Sequence, residues 1–80
     1  MPIGGFVVNV HPDHINEAKK ALVKLKGLEI HGSDEKGNVI VVLDTRTSKE
    51  METLVKEMMK IETVLNVGLT YLNAEDEVCS

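Results

Sequence analysis

The sequence predicts a two-layer α+β domain in which two helices pack on one face of a four-stranded antiparallel sheet. Four β-like runs and two amphipathic helical patterns follow one another in the order β-α-β-β-α-β. The two halves of this order have similar lengths, which is typical of a ferredoxin-like βαββαβ sandwich. Right-handed connections would then place the first and third strands at the centre of the sheet.

Length and composition limit the class of protein. The 80 residues suffice for one domain, which we expect to span residues 1–73, followed by a flexible acidic tail over residues 74–80. The net charge of −4 disfavours nucleic acid, which requires a basic surface, and suits a basic partner. Because no apolar run approaches the roughly 20 residues that cross a bilayer and Cys79 is the only cysteine, we expect a cytoplasmic protein without membrane insertion.

The first half of the chain predicts a strand, a helix and a second strand. The run IGGFVVNV forms strand one, Ile3–Val10, and His11-Pro12-Asp13 ends it. An amphipathic stripe then predicts a helix that stops at Gly27. The residues of this stripe are Ile15, Ala18, Leu22 and Leu25. Strand two follows over Leu28–Ser33.

The second half predicts a hairpin, a helix and a last strand. Residues 34–38 form a charged turn in which Gly37 takes a positive φ, and strand three follows over Val39–Asp44. Thr47 and Glu50 have capping-box spacing, so each is expected to satisfy a free backbone N–H group of the other at the start of a helix. Strand four covers Val64–Leu72.

Alternation along each strand assigns side chains to the two faces of the sheet. The face toward the helices is expected to carry Phe6, Val8, Val10, Leu28, Ile30, Val39, Val41, Leu43, Leu65, Val67, Leu69 and Tyr71. The opposite face is expected to carry Gly5, Val7, Asn9, Glu29, His31, Ser33, Ile40, Val42, Asn66, Gly68 and Thr70.

The face opposite the helices is the candidate functional surface. Val7, Ile40 and Val42 would form an exposed apolar patch on the two central strands, beside positions 5 and 68, which have no side chain. Polar groups surround the patch at Asn9, Asn66 and Thr70. An apolar centre with a polar rim predicts a groove for a helix or an extended peptide. The alternatives are a dimer that buries the same face, or a few solvent-exposed valines.

No residue pattern predicts catalysis, a metal or a cofactor. His11 and His14, with Asp13 between them, supply too few ligands for a metal site that needs three or four. Cys79 lies where no base can be held against it, and the acidic pairs fall in a turn and in the tail. A glycine-rich phosphate loop is also missing. We therefore expect a binding protein and not an enzyme.

Three segments resemble the NapD family of small chaperones for periplasmic nitrate reductase. They are GGFVVNVHPDHI from Gly4, GLEIHGSDEKGNVIVVLDT from Gly27 and VLNVGLTYLN from Val64. The resemblance implies a cytoplasmic protein that binds the twin-arginine (Tat) signal peptide of the nitrate reductase catalytic subunit and delays export until the molybdenum cofactor is inserted. The implied binding surface is the sheet, at Gly5, Val7, Asn9, His31, Ile40, Val42, Asn66, Gly68 and Thr70.

Charge supports this resemblance, and two other functions stay open. An acidic protein with an apolar groove is complementary to a peptide whose basic residues adjoin an apolar stretch. Glu29, Asp34 and Glu35, or the tail residues 75–77, could meet the arginines, and the sequence does not choose between them. The open alternatives are a small-molecule regulatory domain of the ACT type and a homodimerisation module with a weak homodimer through the same face.

Overall fold

A computed structural model describes the backbone of residues 3–73 and the side chains of residues 3–70. Within this part of the chain lie four strands, two α-helices and one 3-10 helix. We number them in chain order as β1 (Ile3–Val10), the 3-10 turn (Pro12–His14), α1 (Ile15–Leu22), β2 (Leu28–Ser33), β3 (Asn38–Asp44), α2 (Ser48–Met59) and β4 (Val64–Asn73). The predicted acidic tail lies outside the described residues.

The four strands form one antiparallel sheet in the order β2-β3-β1-β4. The two central strands are therefore β1 and β3, as right-handed connections require. The predicted fold class, a ferredoxin-like α+β sandwich, is confirmed. Both outer strands leave one edge unpaired in the described part of the chain.

A single, mainly aliphatic core lies between the sheet and the helix layer. The inward side chains of the central strands are all less than 10% exposed, as alternation predicts, and those of α1 and α2 meet them. The core members from the sheet and the helices are Phe6, Val8, Val10, Leu28, Val39, Val41, Leu43, Ala18, Leu22, Met51 and Met58. Both helices of residues 3–73 therefore lie on one side of the sheet, and the other face carries neither of them.

The helix α1 is shorter than the sequence predicts. It ends at Leu22, whereas the amphipathic stripe runs to Leu25 and the predicted stop is Gly27. The backbone N–H of Leu25 donates to the carbonyl oxygen of Leu22 at 3.0 Å, so the chain tightens into i→i−3 turns beyond the helix. Leu25 still packs against the core from this turn. The positive φ of 92° at Gly27 then directs the chain into β2.

The N-terminus of α2 is capped by Thr47, as its sequence spacing predicts. The backbone N–H of Glu50 donates to Oγ1 of Thr47 at 3.1 Å. The carboxylate of Glu50 turns back and accepts the N–H of Arg46 at 3.2 Å, one residue before the expected partner. The capping interaction therefore fixes the chain that enters α2 from β3.

Three register shifts, one in the pairing of β2 and two in the pairing of β4, interrupt strict alternation along these strands. In β2 the register slips at His31, so that Ser33 opposes the inward Val39 and lies on the helix side; its predicted outward position is wrong. In β4 a slip brings Val64 opposite Val10, and Leu65 is 66% exposed instead of buried. The predicted orientation of the Tyr71 side chain lies outside the described side chains.

Candidate functional site

The sheet face opposite the helices, here called the open face, consists of rows of side chains that run across the strands. Opposed residues of an antiparallel pair share a face, so the register defines each row. Three successive rows contain ten residues, among residues 3–70, that share this side of the sheet. They are Asn38, Asn9 and Asn66; Gly32, Ile40, Val7 and Gly68; and Glu29, Val42 and Gly5.

The middle row has two apolar side chains at its centre and a glycine, without a side chain, at each end. Ile40 opposes Val7 on the two central strands, with Ile40 38% exposed and Val7 half-buried. Gly32 on β2 opposes Ile40, and Gly68 on β4 opposes Val7. The two branched side chains therefore stand between two positions at which nothing rises above the backbone. A partner can approach the sheet backbone closely at both ends of the row.

The fold itself does not require glycine at either end of this row. A Cβ atom at Gly32 would have no neighbour within 4 Å, and one at Gly68 would meet only the Val7 carbonyl oxygen, at 3.9 Å. Neither glycine has a positive φ. Since glycine within a strand costs about 0.5–1 kcal/mol relative to alanine, these two positions lower stability without a packing reason.

A second glycine pair in the sequence behaves differently. Gly37 has a φ of 99°, and a Cβ atom there would overlap the carbonyl oxygen of Val10. At Gly4 a Cβ atom would approach Phe6 Cε1 to 2.8 Å and Met51 Sδ to 2.9 Å inside the core. Turn geometry and core packing explain these glycines, whereas neither a positive φ nor packing within the fold requires glycine at positions 32 and 68.

Polar side chains form a hydrogen-bonded row at the end of the open face near the β2–β3 turn. Nδ2 of Asn9 donates to Oδ1 of Asn38, and Nδ2 of Asn38 donates to Oδ2 of Asp34 at 2.9 Å. Oδ1 of Asp34 accepts the backbone N–H groups of Lys36 and Asn38. The side-chain bond from Asn38, followed by its backbone bond, holds the pKa of the Asp34 carboxyl below its ordinary value of 3.8. This end of the face therefore has a fixed negative charge.

The row beyond the apolar centre also ends at an acidic residue. Val42 opposes Gly5 on one side and Glu29 on the other, which places Glu29 on the open face at the outer strand β2. Nε2 of His31 lies 3.7 Å from Oε2 of Glu29, so the predicted site residue His31 lies beside this carboxylate. We call Glu29 and His31 on β2 the acidic margin of the open face. Both side chains are more than half exposed and accessible to a partner.

The remaining predicted site residues lie on β4. Asn66 opposes Asn9 and is exposed. Thr70 occupies the second irregularity of β4, and its hydroxyl donates to the Gly5 carbonyl oxygen at 2.9 Å. The donor of Thr70 is thus used within the sheet, and only its oxygen lone pairs are available to a partner.

Gly32 is a member of the open face that alternation along β2 did not predict. The bulge at His31 brings it opposite Ile40. A glycine inside a strand next to polar residues is a known sign of a bulge, so the pattern His31-Gly32-Ser33 contained the signal. Alternation alone does not place Gly32 on the open face, because the rule assumes that every residue advances the register by one.

Concave sites occur elsewhere on the molecule, on the helix side. A depression of about 580 Å³ lies where β3 leads into α2, and one of about 540 Å³ lies between α1 and the β2–β3 turn. Among residues 3–73 no group of three or more His, Cys, Asp or Glu is arranged to hold a metal ion. The same residues contain no helix with the length and hydropathy needed to span a membrane.

The fold and the open face define a small ferredoxin-like α+β domain with one partly apolar sheet face that no helix within residues 3–73 covers. The family model of the NapD protein matches residues 1–76. The chain therefore belongs to the NapD family.

The solved structures that resemble the molecule include the following two. One, of the E. coli Tat proofreading chaperone protein NapD in solution, has a TM-score of 0.83 and 26% identity, and the match covers 94% of this chain and 80% of that one. The other, of the protein TTHA0845 from Thermus thermophilus, has a TM-score of 0.80 and 12% identity over 92% of this chain and 94% of that one, which supports the fold alone. No curated protein matches the sequence.

Proposed function

We propose that this protein is a non-enzymatic chaperone that binds the twin-arginine signal peptide of the periplasmic nitrate reductase catalytic subunit. It acts in the cytoplasm and holds the precursor until the molybdenum cofactor has been inserted. Membership of the NapD family and the similarity to the E. coli Tat proofreading chaperone support the chaperone role. One observation supports the open face as the peptide-binding surface: the apolar Val7–Ile40 pair lies between two glycines that the fold does not need.

The chemistry of the open face suits such a peptide. A twin-arginine signal peptide carries a basic segment before an apolar one. Val7, Ile40 and Val42 offer an apolar surface to the second segment, and Glu29 and Asp34 offer charges of opposite sign to the first.

The dimensions of the face suit a short helix. From the row of Asn9 to the row of Gly5 the strand advances four residues, or about 13 Å. A helix covers this distance with about nine residues, which is close to the length of the apolar segment of a signal peptide. Glycines at 32 and 68 allow the backbone of such a helix to lie close to the sheet.

Calorimetric titration with a synthetic twin-arginine signal peptide of the nitrate reductase catalytic subunit tests the proposal. We expect binding that weakens when both arginines are replaced by alanine. The variant Ile40→Lys places a charge in the centre of the open face and should weaken binding of the unmodified peptide by at least about tenfold, because burying an unpaired ammonium is unfavourable.

Val23→Lys is the matched control, because Val23 is also exposed, at 60%, but follows α1 on the helix side. It should bind the peptide as the unmodified protein does. The proposal is wrong if the unmodified protein does not bind the peptide, or if both lysine variants weaken binding equally. Sedimentation of the free protein tests the alternative that the open face forms a homodimer. A homodimer would sediment as two chains, and Ile40→Lys should convert it to a monomer.

A further inference from the structure

Formal charge divides the open face along its length. The strands β1 and β4, Ile3–Val10 and Val64–Asn73, contain no charged residue. On the other side, Glu29 lies on β2 opposite Val42, and Asp44 ends β3 on the outward alternation of Ile40 and Val42. Asp34 joins this side through its bond from Asn38. The described carboxylates of the face therefore all lie along the β2–β3 half.

We infer that two parts of the open face recognise different parts of one peptide. The carboxylates on β2, on the β2–β3 turn and at the end of β3 contact the arginine side chains, and the centre of the face at Ile40 and Val7, together with the β1–β4 half where Gly68 has no side chain, accepts the apolar side chains. This inference rests on the proposed function and adds to it which residues determine specificity for arginine. A helical peptide would lie along the strands, with its basic side turned toward β2.

The geometry of Asp34 favours a role in recognising a guanidinium group. Its two oxygens accept three hydrogen bonds, from the backbone N–H groups of Lys36 and Asn38 and from the Asn38 side chain. A carboxylate has about four acceptor positions, so one position on Oδ2 remains for a donor. Because the protein already fixes the carboxylate, little side-chain entropy is lost when an arginine binds.

Glu29 supplies a second carboxylate from within β2. Its side chain is 80% exposed and has the imidazole of His31 nearby. The side chain is long and rotatable, so it can follow an arginine over a range of positions. Gln at this position keeps the shape and removes the charge.

The β1–β4 half has no charged side chain to offer an arginine. Gly68 lies opposite Val7, and the space above it is free, since the nearest atom to an added Cβ would be 3.9 Å away. A valine at position 68 should therefore fold normally and suit a strand. Its side chain would project above the sheet backbone in this half and obstruct the apolar part of the peptide.

Two protein variants and two peptides test the division. Glu29→Gln and Gly68→Val are each titrated calorimetrically with the twin-arginine peptide and with the same peptide carrying two glutamines in place of the arginines. Glu29→Gln should weaken binding of the arginine peptide about threefold to tenfold and leave the glutamine peptide within twofold. Gly68→Val should weaken both peptides by the same factor.

Glu52→Gln, which removes an exposed carboxylate of α2 on the helix side, is the control for net charge. It should leave both affinities within about twofold. Asp34→Asn and Asp44→Asn extend the test to the other two carboxylates. At least one of these substitutions should weaken binding of the arginine peptide and leave the affinity for the glutamine peptide unchanged.

The outcomes separate this inference from the proposed function. If the unmodified protein binds the arginine peptide but none of the three carboxylate variants changes its affinity, the division is wrong and the chaperone proposal stands. The division is equally wrong if Glu29→Gln weakens both peptides alike, or if the effect of Gly68→Val disappears with the glutamine peptide. If the unmodified protein binds neither peptide, the proposed function fails first.

Discussion

At the scale of single residues, the glycines show which positions the fold determines. Gly37 turns the β2–β3 hairpin with a φ of 99°, where any Cβ would overlap the Val10 carbonyl oxygen. The backbone N–H of Val10 also donates to the Gly37 carbonyl oxygen at 2.7 Å, so the turn is fastened to the end of β1. Gly32, earlier in the same hairpin, has free space around it. The same residue type thus serves chain geometry at one position and surface shape at the other.

We expect Gly37→Ala to destabilise the protein by about 2 kcal/mol or more, because it combines a left-handed backbone with a steric overlap. Gly32→Ala should leave stability unchanged or raise it by up to about 1 kcal/mol, since it limits the unfolded chain without a clash. Urea denaturation of both variants measures the difference. Equal losses in the two variants would contradict the distinction between the two glycines.

A second residue-scale prediction concerns Asp34 and pH. Because folding lowers the pKa of its carboxyl, the charged carboxylate stabilises the folded state above the ordinary pKa of 3.8, and this contribution is lost as the pH falls below that value. The free energy of unfolding should therefore differ between the unmodified protein and Asp34→Asn by a constant amount from about pH 7 to 5. The difference should shrink below about pH 4. A difference that grows on acidification would contradict the assigned direction.

At the scale of elements, α2 illustrates how one helix contacts the sheet through a single stripe. Met51 and Met58 are 6% and 0% exposed, whereas the neighbouring Met59 is 61% exposed. The helix starts at the Thr47 cap and contributes its buried face to the core, and its exposed side carries charged residues. Methionine content therefore does not by itself indicate a binding surface in this helix.

We expect Met58→Ala to destabilise the protein by about 2–5 kcal/mol, because it leaves a cavity in a small core. Met59→Ala should change stability by less than about 0.5 kcal/mol, as is usual for exposed positions. Thermal unfolding followed by circular dichroism measures both. Similar losses for the two variants would mean that Met59 is also buried in solution.

At the scale of the whole molecule, the topology protects the strands that carry the middle of the open face. Both β1 and β3 have a hydrogen-bonded neighbour on each side, while β2 and β4 have one within the described sheet. The site is thus built on the most rigid pair of strands, and the acidic margin lies on an outer strand. A rigid apolar centre needs little ordering when a peptide binds.

Native-state hydrogen exchange tests this arrangement. Amides of β1 and β3 should exchange only through global unfolding, at least about tenfold more slowly than those of the eight-residue helix α1. The comparison is made on the free protein at neutral pH by NMR. Faster exchange in β1 than in α1 would contradict the proposed distribution of stability.

The sequence predicted the strand positions and the inward faces of the central strands, because alternation and apolar runs are local signals. Strands β1 and β2 begin and end at the predicted residues, and Phe6, Val8 and Val10 lie in the core as expected. The errors occur where the register shifts: Ser33 follows the bulge at His31, and Leu65 is the extra residue between Val64 and Asn66. A bulge depends on the pairing of two strands, and no periodicity within one strand reports it.

The sequence by itself determined the order of the elements, the aliphatic core, the absence of charge from β1 and β4, and the resemblance to the NapD family. The tertiary structure alone decided which residues share a row. It brought Gly32 beside Ile40, linked Asp34 to Asn9 through Asn38, and left Gly32 and Gly68 without any need within the fold. The physical reason is that composition and periodicity are properties of one segment, whereas a binding face arises from the register between strands that are distant in the chain.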